Sequence, residues 1–224
     1  GSSSWREKWF VEGDLATIEN TGNGMVFTSG PTPLDQASHA VLWTNDSFAG
    51  DIKIEYDYTR LDDMTEATSV NILYIQATGT GSEDHPSDIS MSSHLRRTPW
   101  MKLYFMNMNL IHISYATTGP KRSNYVAARR YPAATRESFA ESTLVEPIFE
   151  NVNIFAPGDT YHITAIKQNQ RLKFIAERDG KQNVFEWDLS ETPDVSSGRV
   201  GFRHMWARSS LYQNIKIYSK EPSK

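Results

Sequence analysis

Histidine, tyrosine and arginine are concentrated in four short segments of this 224-residue chain. The segments are SSHLRRTPW (92–100), NLIHISYA (109–116), NYVAARRYP (124–132) and GFRHMWARS (201–209). Histidine and tyrosine can act as general base and general acid, and the planar guanidinium of arginine binds a carboxylate through two parallel hydrogen bonds. This combination suits an elimination next to a carboxylate. There a base removes the acidic proton, an acid protonates the leaving oxygen and a cation stabilises the enediolate-like intermediate.

The alternation of a β-strand within NLIHISYA places His112 opposite the apolar Ile111, which we expect to be buried. His112 is then the candidate general base or acid, with Tyr125 as its partner. Arg129 or Arg97 would hold the carboxylate. Each candidate has a structural alternative, because strand histidines are more often hydrogen-bonded within the fold and paired arginines are usually bridged to acidic neighbours. The predicted substrate-binding residues are His94, Arg96, Arg97, Trp100, Tyr104, Arg130, Tyr131, Arg203, His204 and Trp206.

Aromatic residues are abundant for so polar a chain: Phe, Trp and Tyr make up 12% of it, against 38% hydrophobic residues in all. A flat ring can cover the C–H face of a sugar while polar neighbours bind its hydroxyl groups. The candidates for such stacking are Trp43, Trp100, Tyr104 and Trp206. Trp43 directly follows a Val-Leu pair, so we expect it in the core.

The formal net charge is −4, from 23 Lys and Arg against 27 Asp and Glu. Such a balance gives no electrostatic reason to expect a nucleic acid or an anionic membrane as partner. The arginine and histidine clusters are local exceptions, and they predict an anionic substrate. The chain has no cysteine, which excludes a disulfide, a thiolate metal site and a cysteine nucleophile.

A carboxylate pair offers a different chemistry. In the strand-like run DIKIEYDYTR, Glu55 and Asp57 share one face, so acid–base hydrolysis of a glycoside is geometrically possible. Retaining β-glucanases carry a Glu-x-Asp-x-x-Glu pattern, but here the last position is Arg60. The simpler interpretation is that both carboxylates line the solvated side of an alternating strand.

Oxygen ligands for a metal ion are densest in GTGSEDHPSD (79–88). This stretch does not have the twelve-residue EF-hand spacing, and the chain has no His-x-x-x-His pair. We therefore predict no metal site and no cofactor, with a structural Ca²⁺ as the one alternative.

About eleven short runs have the composition of β-strands. They lie at 25–29, 40–43, 51–60, 68–77, 110–116, 125–130, 160–168, 171–177, 182–188, 199–204 and 210–218. The sequence Arg-Asp-Gly-Lys at 178–181 predicts a hairpin turn. This pattern predicts an all-β fold, a two-sheet antiparallel β-sandwich of the jelly-roll type.

The remaining segments complete the predicted organisation. Helical turns are expected at 99–107 and 135–142, and two long connections at 77–98 and 116–140 are expected to carry function. The N-terminal GSSS (1–4) is interpreted as an expression remnant, followed by a single domain over 5–224. No run approaches the roughly 18 apolar residues of a membrane span.

The C-terminal run GRVGFRHMWARSSLYQNIKIY resembles the closing strands of concanavalin A-like (lectin/glucanase) jelly rolls. There a Gly-x-x-Gly-x-Arg strand precedes a polar connection and a final Asn-hydrophobic-x-hydrophobic strand. The matching residues here are Gly198, Gly201, Arg203, Asn214, Ile215 and Ile217. Upstream, AVLWTNDSFAGDIKIEYDYTRLD, NILYIQATGTGSEDH and NLIHISYA resemble the YesU-like family of unknown function within that fold.

The resemblance implies an enzyme for oligosaccharides that contain uronic acids, as in ulvan. The implied reaction is β-elimination, most concretely a dehydratase that removes water from a terminal uronate, otherwise a polysaccharide lyase. We expect a periplasmic or secreted protein whose signal peptide has been removed. Two alternatives stay open: a glycoside hydrolase using Glu55 and Asp57, and a non-catalytic carbohydrate-binding module.

Overall fold

The computed structural model describes residues 4–120 and 124–220, so most of the N-terminal GSSS lies outside the described residues. Two antiparallel sheets account for most of the regular structure, which confirms the predicted all-β sandwich. The described α-helices are short: α1 (Met101–Asn107) and α2 (Phe139–Ser142). None of the described helices has the length and apolarity to cross a membrane.

The strands are numbered in chain order. The eight-stranded sheet contains β1 (Trp9–Glu12), β4 (Ala40–Thr44), β5 (Phe48–Ala49), β7 (Ser69–Gly79), β8 (Met108–Thr118), β9 (Tyr125–Tyr131), β10 (Leu144–Glu150) and β14 (Ser197–His204). The seven-stranded sheet contains β2 (Thr17–Thr21), β3 (Gly24–Thr28), β6 (Ile52–Arg60), β11 (Thr160–Gln168), β12 (Arg171–Arg178), β13 (Lys181–Asp188) and β15 (Ser209–Ser219). The first sheet runs β1-β4-β14-β7-β8-β9-β10, with β5 beside β14, and the second runs β13-β12-β11-β6-β15-β3-β2.

The main core lies between the two sheets. Strand β6 alternates as predicted, and Ile52, Ile54, Tyr56 and Tyr58 are all buried in this core. The buried hydroxyl of Tyr56 donates to that of Tyr115 at 3.1 Å. These two hydroxyl groups inside the sandwich are thus hydrogen-bonded to each other, which offsets the cost of removing them from water.

A second apolar layer covers the outer face of the eight-stranded sheet. The connection 80–107 folds back over this face, and α1 packs Tyr104 against Tyr74 and Phe105 against Tyr131. Strand β7 is therefore buried on both faces. Strands buried on both faces usually have nearly continuous apolar sequences rather than alternating ones. The central run of β7, VNILYIQA, has this character.

Most predicted elements are confirmed. The hairpin at 178–181 joins β12 to β13, and the predicted helical turns contain α1 and α2. Within the predicted connection 116–140, β8 continues to Thr118, and the strand predicted at 125–130 is present as β9 (Tyr125–Tyr131). Strands β1, β2, β5 and β10 were not predicted. Three of them are sheet edges and β5 has only two residues, so their alternation is weak.

Candidate functional site

One row of residues crosses the covered face of the eight-stranded sheet. The strand register pairs Trp43 with Gly201 and Gly201 with Tyr74. It then pairs Tyr74 with His112 and His112 with Arg129. A Cβ on Gly201 would lie 2.4 Å from the Trp43 ring, so the glycine makes room for Trp43 to stack on Tyr74. The register thus places a tyrosine, a histidine and an arginine from three strands side by side.

His112 lies between two hydroxyl groups. Its Nδ1 is 2.6 Å from Tyr131 Oη and its Nε2 is 2.6 Å from Ser114 Oγ. Burial lowers the pKa of His112 well below its usual value, and the cations Arg129 and Arg203 lower it further. Burial raises the pKa of Tyr131 well above its usual value. At neutral pH a neutral imidazole therefore faces a protonated phenol, whose hydroxyl can donate to Nδ1.

Arg203 on β14 carries a fully buried guanidinium close to this pair. Its Nη2 donates to His39 Nδ1 at 2.6 Å and to the Pro99 carbonyl at 2.7 Å, and its Cζ lies 4.5 Å from the Tyr104 ring centroid. Burial and the Arg203 charge lower the pKa of His39 to about 2, so His39 is a neutral acceptor. Nε and Nη1 of Arg203 form no hydrogen bond of regular geometry, although the Tyr74 hydroxyl interacts with the guanidinium, and no carboxylate in the described part of the chain lies within 4.0 Å of it. A buried cation without a counter-charge is costly, so this position favours an anionic ligand.

Glu12 of β1 is a buried carboxylate on the same face, but its oxygens are already engaged. One oxygen lies 2.6 Å from Arg96 Nη2. The other accepts from Trp43 Nε1 at 3.0 Å and from Tyr104 Oη at 2.7 Å. Glu12 therefore neutralises Arg96 and ties α1 to the sheet, and it leaves Arg203 uncompensated.

The segment 99–107 closes this site. Besides the contact of Pro99 with Arg203, Met101 Sδ lies 3.8 Å from Tyr74 Oη. The Phe105 carbonyl accepts from Ala133 N at 2.7 Å. His112 is consequently only 2% exposed. A ligand can reach the histidine only when this segment moves aside.

The family model of a domain of unknown function, DUF1961, matches residues 2–217. The chain belongs to the DUF1961 family. No match is found among curated proteins. The expected membership in a family of unknown function with a lectin-like sandwich is thereby confirmed.

Solved structures similar to this DUF1961 protein share its sandwich. A Bacillus subtilis protein of unknown function with a galectin-like fold has 19% identity and a TM-score of 0.70, covering 95% of this chain and 90% of its own. A legume lectin-like domain from Entamoeba histolytica has 9% identity and a TM-score of 0.61, covering 96% and 92%. The carbohydrate-binding module CBM66 from Bacillus subtilis has 14% identity and a TM-score of 0.52, covering 95% and 96%. At these identities the likeness establishes the fold alone, which confirms the jelly-roll prediction.

Two of the three predicted catalytic residues of this DUF1961 protein, His112 and Arg129, are neighbours in the row. Arg129 also donates to oxygens of the turn 140–143. Tyr125 lies four positions before Arg129 on β9, roughly 13 Å along the strand at the usual rise per residue. The tyrosine hydrogen-bonded to His112 in the structure is Tyr131 rather than the predicted Tyr125.

Three arginines predicted to bind substrate have structural partners instead. Arg96 is buried against Glu12, as described above. Arg97 forms an exposed ion pair with Asp14 at 2.7 Å. Arg130 extends from the opposite side of its strand to Asn109 and to carbonyl oxygens of the loop before β14. These contacts occupy the guanidinium groups and place them outside the His112 site.

The other predicted binding residues divide between core, site and surface. His204 lies in the inter-sheet core, stacked on Phe27 with ring centroids 4.2 Å apart. Trp206 packs beside His39, with ring centroids 4.7 Å apart. His94 is exposed, and Trp100 is 43% exposed. Those that the structure brings to the site are Tyr104, Tyr131 and Arg203.

Sequence reasoning missed three members of the site: Glu12, His39 and Tyr74. Glu12 ends the short run WFVE, and an acidic residue among large apolar ones was a usable signal for a buried partner. Tyr74 lies in a strand buried on both faces, where alternation does not indicate which side faces a ligand.

The carboxylates of the hydrolase alternative lie on the outer face of the other sheet. Glu55 is 3.0 Å from Lys53 Nζ. Asp57 is 2.7 Å from His162 Nδ1 and accepts from Asn214 Nδ2 at 2.6 Å. Both carboxylates are therefore held by neighbours, and this DUF1961 protein offers no support for glycoside hydrolysis there.

The acidic stretch 79–88 is the densest source of oxygen ligands for a metal ion in the sequence. Among the described residues no group of three His, Asp or Glu side chains is placed to hold a metal ion. Asp88 lies 2.9 Å from Arg199 Nη2 and also accepts from Ser90. The carboxylate is thus used to link this loop to β14.

A groove of about 790 Å³ lies at another part of the surface. It is lined by the N-terminal turn, the β2–β3 hairpin and residues 212–215, and its one charged lining residue in the described chain is Lys8. Its described lining residues include no histidine or carboxylate, and the hydroxyl of its Tyr212 is buried and bonded to His204, so the covered face is the better candidate for acid–base chemistry.

The three buried histidines should make folding sensitive to acid. Burial lowers the pKa of His39 to about 2 and those of His112 and His204 well below their usual value. The unfolded chain takes up these protons near pH 6.5, so the stability contribution is present above that pH and is lost as the pH falls. Between about pH 6 and pH 5 the free energy of unfolding should fall by about 3–4 kcal/mol, at most ~1.4 kcal/mol per histidine.

Urea titrations at the two pH values test this. The variant H204Q should reduce the change by about a third, because one of three linked protons is removed. Equal stability at both pH values would show that the histidines titrate alike in the folded and unfolded chain.

Proposed function

We propose that this protein removes water from the terminal uronate of an anionic, ulvan-like oligosaccharide by β-elimination, at the site of His112, Tyr131 and Arg203. The observation that carries the proposal is the buried, uncompensated guanidinium of Arg203 close to a neutral histidine bonded to a protonated tyrosine. A polysaccharide lyase would use the same groups with a sugar as leaving group.

The Arg203 guanidinium is suited to hold the uronate carboxylate. Two of its three nitrogens form no hydrogen bond of regular geometry, and its third is held by His39 and Pro99, so the group is already oriented. A carboxylate bound there would supply the missing counter-charge through charge-assisted hydrogen bonds. The cation would also stabilise the enediolate-like intermediate, whose charge develops on that carboxylate.

The His112–Tyr131 pair is suited to the two proton transfers. The neutral imidazole can accept the proton from the carbon next to the carboxylate. The protonated Tyr131 can give a proton to the neighbouring hydroxyl, which leaves as water while the carbon–carbon double bond forms. Because the two side chains are 2.6 Å apart, the substrate must replace their mutual hydrogen bond.

Entry of the sugar requires displacement of the segment 99–107, which covers the site. Closure over the bound uronate would then exclude water and strengthen the interaction with Arg203. In this proposal the protein works in the periplasm or outside the cell, where such oligosaccharides are released from polysaccharides.

Non-catalytic binding of an acidic sugar is the second candidate function. The burial of His112 favours it, because both ring nitrogens already have partners. The fold also occurs in a solved carbohydrate-binding module. In this case Arg203 would hold the carboxylate and no bond would break.

The decisive experiment incubates the protein with saturated, uronate-terminated oligosaccharides and follows both mass and ultraviolet absorbance of the conjugated product. Loss of one water without chain cleavage supports the dehydratase, and two fragments without uptake of water indicate a lyase. Water uptake would refute elimination. Unchanged oligosaccharides that still raise the melting temperature would leave only the binding module.

The variant R203M should lose the response to acidic sugars and keep its fold. Removing charge-assisted hydrogen bonds should weaken binding by about 10–100-fold. Methionine fills similar space without a buried charge, which offsets the loss of the hydrogen bonds to His39 and Pro99, so the melting temperature without ligand should change little. The control R203K keeps the charge but lacks the planar fork, and should be intermediate. A strongly destabilised R203M, together with normal sugar binding by R203K, would assign Arg203 a structural role only.

A further inference from the structure

A small open groove lies on the outer side of the segment that covers the His112 site. Its volume is about 380 Å³, and its lining residues are Gln36, Trp100, Lys102, Phe105 and Arg136. Phe105 also packs on Tyr131, with ring centroids 6.4 Å apart. The groove and the buried site are therefore separated by a single layer of side chains from α1.

The two cations of this groove are unpaired. In the described chain neither Lys102 nor Arg136 has a carboxylate within 4.0 Å, and no hydrogen bond is formed by either side chain. Other surface arginines are bridged: Arg97 to Asp14 at 2.7 Å and Arg171 to Asp188 at 3.2 Å. Two cations without a carboxylate partner in the lining of one groove, in a protein of net charge −4, favour an anionic ligand there.

An exposed aromatic ring lines the same groove. Trp100 is 43% exposed, although a tryptophan is usually well covered. Lys102 Nζ lies 4.7 Å from the centroid of its ring. A sugar ring stacked on the exposed part of Trp100 would bring its substituents close to Lys102, and Gln36 supplies both a donor and an acceptor for hydroxyl groups.

We infer that this groove binds a second sugar ring that carries an anionic substituent, a carboxylate or a sulfate, on the oligosaccharide whose terminal uronate enters the His112 site. The inference rests on the proposed function for the saccharide nature of the ligand. Recognition of the oligosaccharide then extends beyond the reacting sugar and requires a negative charge on the second sugar ring. A neutral neighbour would leave Lys102 and Arg136 without partners.

Affinity gel electrophoresis tests the inference with the intact protein. Native gels contain polygalacturonate for carboxylates, carrageenan for sulfates, or a neutral galactan, and mobilities are compared with a gel without polymer. We expect retardation by at least one acidic polymer and none by the galactan. The variant K102M/R136Q should bind that polymer about tenfold more weakly, the sum of two exposed charge contacts. W100A should weaken binding through loss of stacking.

The matched control is K181M/K216M, which removes the same charge from exposed positions elsewhere. It should be retarded like the parent protein. Equal retardation of K102M/R136Q and the control, retardation by galactan alone, or no retardation by any polymer would each overturn the inference. The acidic polymer that retards the parent identifies the substituent as carboxylate or sulfate.

The elimination assay reads the proposed function separately. A protein that is retarded through Lys102 and Arg136 but releases no water from uronate oligosaccharides would refute the dehydratase and leave the groove assignment standing. If the protein releases water from uronate oligosaccharides but its retardation does not depend on Lys102 and Arg136, the groove assignment is refuted and the dehydratase stands.

Discussion

Replacing His112 by glutamine should lower the rate of elimination by about 10²–10⁴-fold, the usual contribution of a positioned general acid or base. Glutamine can still form hydrogen bonds to Tyr131 and Ser114, but it cannot take up a proton. Sugar binding should therefore persist while turnover is lost. Initial rates of conjugated-product absorbance at saturating oligosaccharide, with binding followed by thermal shift, measure the two effects separately.

The control for this variant is H162Q. His162 is also hydrogen-bonded to a side chain, with its Nδ1 2.7 Å from Asp57 Oδ1. It lies on the outer face of the other sheet. Its replacement should leave the rate unchanged, whereas Y131F should reduce it because the proton donor is removed. Full activity of H112Q would refute the assignment of the base, and loss of activity in H162Q would move the chemistry to the seven-stranded sheet.

Replacing Glu12 by alanine should lower the free energy of unfolding by about 3–5 kcal/mol, the typical cost of leaving one member of a buried ion pair alone. The Glu12 and Arg96 side chains are 1% and 4% exposed, so water cannot replace the lost partner. Trp43 and Tyr104 would lose their acceptor as well. For a chain of this length the melting temperature should fall by about 10 °C, as thermal denaturation would show.

Asp14 provides the matched control. Its partner Arg97 is next to Arg96 in the chain, but this pair is exposed, at 58% and 74% of the side chains. D14A should therefore change stability by no more than about 1 kcal/mol. If E12A and D14A had equally small effects, the Glu12–Arg96 pair would not hold the cover on the sheet. The variant E12Q, which retains acceptor capacity, should lie between E12A and the parent.

Local pattern was sufficient for much of the fold. The alternation in DIKIEYDYTR predicted the buried face of β6, and Asp-Gly predicted the turn before β13. It was also sufficient to separate His112 from Ile111, since neighbours on a strand face opposite sides. It failed for Tyr125, because the choice between two tyrosines on one strand face depends on the register of β8 against β9.

The amino-acid sequence alone established a two-sheet sandwich, the strand that carries His112, and a chemistry limited to oxygen and nitrogen groups. The tertiary structure decided which of these groups meet. Arg203 reaches His39 across 164 residues, and Arg96 reaches Glu12 across 84. The connection 80–107 buries both pairs without any periodicity that predicts it. Burial and the pairing of charges depend on contacts between distant segments, and these contacts decide that Arg96 has a buried carboxylate partner while Arg203 has none among the described residues.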